Sequence, residues 1–264
     1  MMEVVDTTRP TVDHGRTLST SRHLPTLVRY PAVGPVGAEE TAGAPVASGA
    51  WPLVVFAHGY DVTPATYAHL LHAWAAAGFV VAAPSFPLET AGGPLDENDL
   101  SNEPADISVV ITAVLKDPVL AAHVESSHVA VTGHSDGAEA ALGAGFVSGD
   151  SRIGPVISMA AQGVDGMPNH NAAHPLLVVQ GTQDTINPPA RSDGVYAAAG
   201  PPRFYLRLLG AGHLPPVADD TPWRPIVEQV TIDFLRRYLG GSVSVASLTS
   251  DGTHAGLSTL TADP

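Results

Sequence analysis

The sequence feature that most constrains the fold is the segment Gly133-His134-Ser135-Asp136-Gly137, which follows an apolar run at residues 129–131. Helix-forming residues, 138–144, come directly after it. A strand, a tight turn and a helix around Gly-x-Ser-x-Gly are typical of a nucleophile elbow, in which the turn lifts a serine hydroxyl out of the sheet. The two glycines remove Cβ atoms that would clash there, and they allow unusual backbone angles. The segment therefore predicts that Ser135 is a nucleophile.

A related pattern at Ala190–Gly194 shows why the context matters. It contains a serine followed by Asp and Gly, but it lacks the strand and helix around it. Short glycine and serine patterns arise by chance in a glycine-rich chain, so the flanking elements carry the prediction at residues 133–137.

Length and composition narrow the class of protein. At 264 residues the chain fits one large α/β domain, which can bury enough apolar surface to be stable without cross-links. It has no cysteine, which excludes disulfides, thiolate catalysis and cysteine-bound metals. With 12 Lys+Arg against 26 Asp+Glu the net charge is −14, which argues against nucleic-acid and anionic membrane partners. We interpret the excess as a solvated acidic surface, and we expect a monomer.

The location of the protein in the cell is predicted from two absences. No run of about 18 apolar residues is present, so we expect no membrane span. Residues 1–10 lack a basic segment followed by an apolar one, so they do not read as a signal peptide. The prediction is a cytoplasmic protein, or a secreted one if a leader once preceded this start.

Buried strands alternate with helices along the middle of the chain. Continuous apolar runs predict central strands, and 3.6-residue periodicity with capping residues predicts helices. Central strands are expected at 52–58, 79–83, 129–131, 153–160, 175–181 and 204–209, and an antiparallel edge strand at 24–31. Helices are expected at 64–76, 104–115, 138–144, around 196–199 and at 225–239. This order predicts one α/β domain over residues 1–264, with a mostly parallel sheet covered on both faces. Residues 1–24 are interpreted as a surface lead-in and 240–264 as a tail or a hairpin.

A serine nucleophile needs a histidine base and a carboxylate that orients the histidine. In the strand–elbow–helix context the acid and then the base follow the serine along the chain, each on a loop after a strand. His213 follows the predicted strand 204–209 and lies between Gly210 and Leu214, in a flexible turn. It is our predicted base. The other histidines have simpler uses in a core, a turn or a helix surface: His58, His69, His72, His134, His170 and His174.

Asp184 is the predicted orienting acid. It follows the apolar strand at 175–181 by a short turn, and Pro188-Pro189 stiffen its loop. The alternatives do not directly follow a strong strand, and two of them come after the base: Asp165, Asp219 and Asp220. We expect the two oxyanion-hole donors to be the backbone N–H groups of Asp136 and of Tyr60, which follows the strand at 52–58.

The long loop at residues 84–102 carries four acidic side chains, Glu89, Asp96, Glu97 and Asp99. Acidic loops can bind cations, but this spacing matches no metal-binding loop motif. We therefore expect neither a metal nor a cofactor.

Four segments together resemble the α/β-hydrolases: residues 52–87 with His58-Gly59-Tyr60, residues 133–137, Gly181–Ile186 and Gly212-His213-Leu214. Among these enzymes the chain is most similar to bacterial dienelactone-hydrolase-like and cutinase-like esterases, the branch that includes polyester (PET) hydrolases. Chlorophyllases and platelet-activating-factor acetylhydrolases are similar at a greater distance. The resemblance covers about residues 25–240.

The resemblance implies an α/β-hydrolase fold without a large lid and a serine esterase mechanism that uses Ser135, Asp184 and His213. It also implies that a substrate-binding surface includes Tyr60, Asp136, Met159, Ile186 and Leu214. The expected substrates are short-chain or extended esters. Polyesters are the alternative, and a non-catalytic ligand-binding protein on the same fold is the alternative of another class.

The chain departs from polyester hydrolases at three places. Asp136 stands where they usually have Met, and Ser158-Met159-Ala160-Ala161 stands where they carry a Trp. Their C-terminal disulfide is impossible without cysteine. These departures weigh against polymer cleavage and leave simple ester hydrolysis untouched.

Overall fold

The computed structural model of the protein describes residues 1–35, 40–164 and 174–264. The first strands are short: β1 (Val5–Asp6), β2 (Thr11–Asp13), β3 (Arg16–Ser19) and β4 (Arg22–His23). They pair as two small antiparallel ribbons, β1 with β4 and β2 with β3. The polar N-terminal segment therefore contains regular structure that its sequence did not predict.

The main sheet has eight strands in the described residues. They are β5 (Thr26–Arg29), β6 (Trp51–Ala57), β7 (Val80–Pro84), β8 (Val124–His134), β9 (Ile153–Met159), β10 (Leu176–Gly181), β11 (Arg203–Leu208) and β12 (Ser258–Asp263). Their spatial order is β12-β11-β10-β9-β8-β6-β7-β5. The six inner strands run parallel, and β5 and β12 pair antiparallel at the two edges. The predicted mostly parallel sheet, with an antiparallel strand at residues 24–31, is confirmed.

The helices that follow these strands are α1 (Ala68–Ala76), α2 (Glu103–Lys116), α3 (Asp136–Leu142), α4 (Pro189–Ala198), α5 (Pro215–Ala218), α6 (Arg224–Tyr238) and α7 (Val245–Asp251). Short 3₁₀ turns precede α1 and α2 at Pro64–Tyr67 and Glu97–Asn102. A third lies at Ala121–His123, and a π turn at Gly143–Val147 extends α3.

Side chains of the inner strands alternate between two hydrophobic cores, one on each face of the sheet. In β6, Leu53 and Val55 enter the core formed with α2, α3 and α4, whereas Val54 and Phe56 enter the core formed with α1 and α6. Successive residues of a strand point to opposite faces, so a strand that is apolar throughout fits only a sheet covered on both sides. The sheet is covered on both faces, as its sequence predicts.

A buried arginine ties the N-terminal segment to the main domain. Arg22 is fully buried, and its guanidinium pairs with Asp99 at 2.7 Å and with Asp106 at 2.6 Å. Because a buried charge is tolerated only when it is paired and hydrogen-bonded, these bonds fix residues 22–26 against the turn at 97–102 and helix α2.

The C-terminal residues form α7 and β12. The sequence had suggested either a tail or a hairpin for residues 240–264. Strand β12 pairs along its whole length with β11, from Ser258 opposite Leu208 to Asp263 opposite Arg203. Leu248 of α7 and Leu260 of β12 are buried against the core. In the described ranges, no helix has both the length and the apolar character that crossing a bilayer requires.

Candidate active site

The turn between β8 and α3 has the geometry of a nucleophile elbow. Ser135 lies at its tip with φ +57° and ψ −125°, a backbone conformation that costs free energy and is often found at functional sites. A Cβ on Gly133 would overlap the backbone of Gly137, and one on Gly137 would overlap the backbone of Ala57. Both predicted glycine roles are confirmed, since no other residue leaves room for this turn.

A backbone hydrogen bond from β9 supports the elbow. The Ser135 N–H donates to the carbonyl of Met159 at 2.9 Å, and the Ser135 carbonyl accepts from the Ala138 N–H at 2.9 Å. These bonds fix the serine backbone between the sheet and the first turn of α3. The predicted direction of the His134 side chain, away from Ser135, agrees with its bond to Tyr67 in the core.

The structure brings Asp184 and His213 together. The Nδ1 atom of His213 lies 2.7 Å from Oδ2 of Asp184, and the aspartate side chain is fully buried. Its other oxygen accepts the N–H groups of Ile186 and Asn187, each at 2.9 Å. These bonds stabilise an ionised carboxylate in one orientation, so His213 Nδ1 carries the proton and Nε2 is left to accept one.

Three polar residues that the sequence did not single out support Asp184. Gln180 donates its side-chain N–H to Asp184 Oδ2 at 3.0 Å, and its own oxygen accepts from the Ser192 hydroxyl at 2.6 Å. Asn187 donates its side-chain N–H to the carbonyl of Ala160 at 2.6 Å. The sequence contained one indication of this role, since Gln180 is a polar residue near the end of an otherwise apolar strand. Ser192, the serine of the Ala190–Gly194 pattern, is a buried member of this set.

Ser135 and His213 are not hydrogen-bonded to each other within the described residues. The His213 ring is already oriented by Asp184, and its side chain is about 10% exposed. Bonds between a nucleophile and its base are often long without substrate and tighten only when the substrate binds.

The segment that holds Tyr60 lies directly beside the elbow. A Cβ on Gly59 would lie 3.0 Å from the Ser135 Cβ, so the end of β6 and the elbow are in close contact. In the turns and loops that the structure describes, no hydrogen bond uses the N–H of Tyr60 or Asp136. Both groups therefore remain available to a ligand atom.

The surroundings of Ser135 are acidic. Burial, and then the charge of Glu97, raise the pKa of Asp136 above its ordinary value. Burial also raises the pKa of Glu139 to about 7, and the charge of Asp136 adds to the shift. The site therefore places several carboxyl groups around the serine.

Two further carboxyl groups, those of Glu89 and Glu103, are fully buried near this acidic surface. In the described part of the chain, none of their four oxygens has a hydrogen-bond partner. Burial, and then the charges of Asp136 and Asp99, raise the pKa of Glu89 to about 9. Burial, and then the neighbouring Glu89, raise the pKa of Glu103 well above its ordinary value. Burial therefore favours the neutral form of both side chains.

The predicted substrate-binding residues do not share one environment. Tyr60, Asp136 and Leu214 are partly exposed, and Ile186 is 66% exposed. The Met159 side chain is only 1% exposed and packs in the core beneath the sheet, so its backbone, not its side chain, contributes to the site.

Two of the alternatives that the sequence offered, His58 and Asp220, have local partners. His58 is buried, donates from Nδ1 to the carbonyl of Gly59 at 2.8 Å and accepts the Phe86 N–H at 3.2 Å. Burial lowers its pKa to about 4. Asp220 pairs with Arg224 on the protein surface, at 3.2 Å. Asp165 and His170, two alternatives from the sequence, lie outside the described residues.

The acidic loop at 84–102 uses its carboxylates separately. Asp99 pairs with Arg22, and Asp96 accepts the Asn98 N–H at the start of the 3₁₀ turn. Asp96 also lies with Asp13 and His14 in a group whose possible ligand atoms are all within 4.8 Å of one another. Asp13 already pairs with His14 at 2.6 Å, and His14 donates its N–H to Asp96 at 2.8 Å. These bonds account for the cluster without a cation.

A mostly parallel sheet of this order, covered by helices on both faces, defines an α/β-hydrolase fold. Residues 39–187 match the model of the chlorophyllase family, which lies within the α/β-hydrolase superfamily. The match spans more than half of the chain, and the chain belongs to the chlorophyllase family. It is an ester hydrolase of the α/β-hydrolase type.

The matched range includes Tyr60, Ser135 and Asp184 and ends before His213. The sequence placed chlorophyllases among its more distant resemblances, and the nearer one to dienelactone-hydrolase-like and cutinase-like esterases stays a prediction. No curated protein sequence matches the chain.

Proposed function

We propose that the protein is a serine carboxylic-ester hydrolase that acts through an acyl-enzyme. In this proposal Ser135 is the nucleophile, His213 the general base and acid, and Asp184 the carboxylate that orients it. The backbone N–H groups of Tyr60 and Asp136 form the oxyanion hole. The observation that carries the proposal is the 2.7 Å bond between Asp184 and His213. These residues lie on the loops after β10 and β11, and Ser135, at a positive φ, follows β8, so all three lie at the carboxyl ends of parallel strands.

The reaction has two halves. The Ser135 oxygen bonds to the ester carbonyl carbon while its proton passes to His213 Nε2. The negative charge that develops on the carbonyl oxygen is stabilised by the two N–H groups. The bond to the alcohol then breaks, and His213 returns the proton to the leaving oxygen. Water repeats the sequence on the acyl-enzyme, which releases the carboxylic acid and restores Ser135.

We propose short-chain or extended monomeric esters as the substrates. Within residues 1–35, 40–164 and 174–264 the core elements are joined without a large insertion, which favours a cleft without a bulky lid. The alternative of a polyester substrate is weakened by Asp136 and by Met159, whose side chain is buried where polyester hydrolases present a tryptophan. Chlorophyll is included among the esters to be assayed because the matched family is named after it.

Labelling with a fluorophosphonate tests the proposal. We expect one covalent adduct per chain, formed when the Ser135 oxygen bonds to phosphorus and fluoride leaves. Peptide mapping by mass spectrometry should locate the adduct on Ser135, whereas Ser192 should remain unlabelled because it is buried behind Asp184. No labelling, or labelling elsewhere, would contradict the serine mechanism and support the non-catalytic alternative.

The carboxylate next to the nucleophile should select substrates by charge. An ionised Asp136 repels the developing oxyanion and attracts a cationic ester, since charges a few ångströms apart interact strongly in a partly buried site. We expect Asp136→Asn to raise kcat/KM for 3,3-dimethylbutyl acetate about fivefold. It should leave unchanged, or lower, kcat/KM for acetylcholine, which has nearly the same shape and a positive charge.

The control for this experiment is Glu125→Gln. Glu125 lies on β8, ten residues before Ser135 and at the far end of that eleven-residue strand. The ratio of the two kcat/KM values should not change in that variant. Equal effects of Asp136→Asn on both esters would show that the Asp136 charge does not act on the substrate.

A further inference from the structure

A chain of three hydrogen bonds, two buried and one partly buried, connects the loops that the proposed mechanism uses. The Tyr67 hydroxyl accepts the N–H of Gly59 at 3.3 Å and lies 3.0 Å from Nδ1 of His134, and both bonds are buried. The Nε2 atom of His134 lies 3.2 Å from the carbonyl oxygen of His213, and this bond is partly buried. The Tyr67 and His134 side chains are themselves shielded from water, being 1% and 2% exposed.

The two ends of this chain determine the position of every proton in it. The Gly59 N–H can only donate, and the His213 carbonyl can only accept. His134 must therefore carry its proton on Nε2, which leaves Nδ1 as an acceptor for the Tyr67 hydroxyl proton. The tyrosine oxygen is then free to accept from Gly59. Every donor in the chain has one acceptor.

A neutral His134 is required by this arrangement. A proton on Nδ1 would face the Tyr67 hydroxyl and leave its hydrogen without an acceptor. Burial, and then the charge of the neighbouring His213, lower the pKa of His134 to about 3. His134 therefore stays neutral in the pH range where an esterase works, and it does not act as a base itself.

Each end of the chain belongs to a different part of the proposed machinery. Gly59 precedes Tyr60, whose N–H is a proposed oxyanion donor, and His134 directly precedes Ser135. The other end of the chain is the backbone carbonyl of His213, and Asp184 holds the ring of His213 separately. The rings of His134 and His213 also pack with centroids 4.6 Å apart.

The loop of His213 is packed and hydrogen-bonded just before the histidine, since Ala211 is fully buried and its carbonyl accepts the Gln183 N–H at 2.9 Å. At His213 itself, the Asp184 bond holds the ring only. The bond from His134 holds the backbone carbonyl of the same residue.

We propose that Tyr67 and His134 are positioning residues that hold the oxyanion donor, the nucleophile and the base in one geometry through this directed chain of hydrogen bonds. The proposal rests on the proposed serine mechanism. It assigns a function to the histidine of the Gly-x-Ser-x-Gly motif that differs from substrate contact, because this side chain faces the core.

The variant Tyr67→Phe tests the proposal with little change in packing, because the ring that packs against Phe56 at 4.7 Å remains. We expect kcat for a short p-nitrophenyl ester to fall about 10- to 100-fold while KM changes less than about twofold. Affinity for a trifluoromethyl ketone, whose serine adduct carries an oxyanion, should fall by a similar factor. Tyr238→Phe is the matched control, since the Tyr238 hydroxyl has no hydrogen bond among the described residues.

Two substitutions of His134 separate the ends of the chain. A glutamine places its amide nitrogen near the position of Nε2 and keeps the donor to His213. An asparagine reaches only the position of Nδ1, so it keeps the contact with Tyr67 and loses the anchor of the base. We expect His134→Gln to retain at least about fivefold more kcat than His134→Asn. Equal losses would contradict the anchoring of His213.

A merely structural role predicts a different outcome. It would lower the melting temperature without changing kcat or analogue affinity in the fraction that is folded, and that result would overturn the proposal. If Tyr67→Phe does not fold, the proposal is tested by comparing the kcat values of His134→Gln and His134→Asn. Ser135→Ala separates this proposal from the mechanism on which it rests. An active Ser135→Ala refutes the serine mechanism, whereas an inactive Ser135→Ala with a fully active Tyr67→Phe refutes only the positioning role.

Discussion

Replacing Ser135 by alanine should lower kcat/KM for a short p-nitrophenyl ester by about 10⁴- to 10⁶-fold, the range found when a triad nucleophile is removed from a serine hydrolase. The effect is large because the acyl-enzyme route is lost altogether, and only binding and the oxyanion donors remain. The backbone at residue 135 keeps its φ of +57° with alanine, so the fold should be retained. Steady-state kinetics, with thermal unfolding to verify folding, measure this result.

The matched control is Ser242→Ala, at an exposed position outside the helices and strands. It should keep the activity of the parent protein. Ser192→Ala is not a neutral control, because the Ser192 hydroxyl braces Gln180 behind Asp184. A Ser135→Ala protein with more than about one-hundredth of the parent activity would contradict the assignment of the nucleophile.

Replacing Glu89 by glutamine should stabilise the protein, and more so as the pH rises. The folded state keeps the Glu89 carboxyl protonated up to about pH 9, whereas the unfolded chain ionises it above its ordinary pKa of 4.5. Between these values folding must take up a proton, so the free energy of unfolding falls as the pH rises through this window. Below pH 4.5 both states are protonated and the cost vanishes.

The size of the effect follows from the width of this window. Each pH unit above 4.5 costs about 1.4 kcal/mol, so Glu89 lowers the free energy of unfolding at pH 7 by about 3 kcal/mol. Glutamine has nearly the same shape and is neutral at every pH. Urea unfolding should therefore give similar stabilities for the two proteins at pH 4.5 and a more stable Glu89→Gln at pH 8.

Glu3→Gln is the control for this measurement, because it removes an exposed carboxylate instead of a buried one. Its stability relative to the parent should not rise across the same pH range. A difference between Glu89→Gln and the parent that stays constant with pH would show that the Glu89 carboxyl does not titrate as its burial implies.

The inner part of the fold was predictable because single physical requirements determine it. A strand such as β6 is apolar at every position, and only a sheet covered on both faces accommodates that pattern. The predicted helix at 64–76 begins as the 3₁₀ turn at Pro64 and continues as α1, and Gly78, with φ +102°, follows its end. The pair of Asp184 and His213 was predicted from their positions after strands, since parallel strands end at the same edge of a sheet.

The two ends of the domain were not predictable in the same way. Arg22 reads as a surface charge until Asp99 and Asp106, more than 70 residues away, are seen around it. Strand β12 carries alternating polar residues and depends on the edge of β11 for its structure. Both features arise from contacts between distant segments, and a pattern within one segment contains no record of them.

Parts of the site could not be predicted from the sequence for a related reason. The role of His134 depends on a tyrosine 67 residues earlier and on a carbonyl 79 residues later. Gln180 and Ser192 gain their function only from the fold of the Asp184 loop. Met159 was predicted from a resemblance, and its side chain lies in the core because it alternates with residues on the opposite face of β9.

The antiparallel pairing at the β5 edge bears on how this chain behaves at high concentration. An unpaired strand edge invites backbone pairing with another molecule. Here Met2 exchanges two 2.8 Å hydrogen bonds with Thr26, and Val4 accepts the N–H of Leu24, so the N-terminal segment already occupies that edge. The segment thus protects the start of β5 from pairing with another molecule, and the ion pairs of Arg22 help to hold it in place.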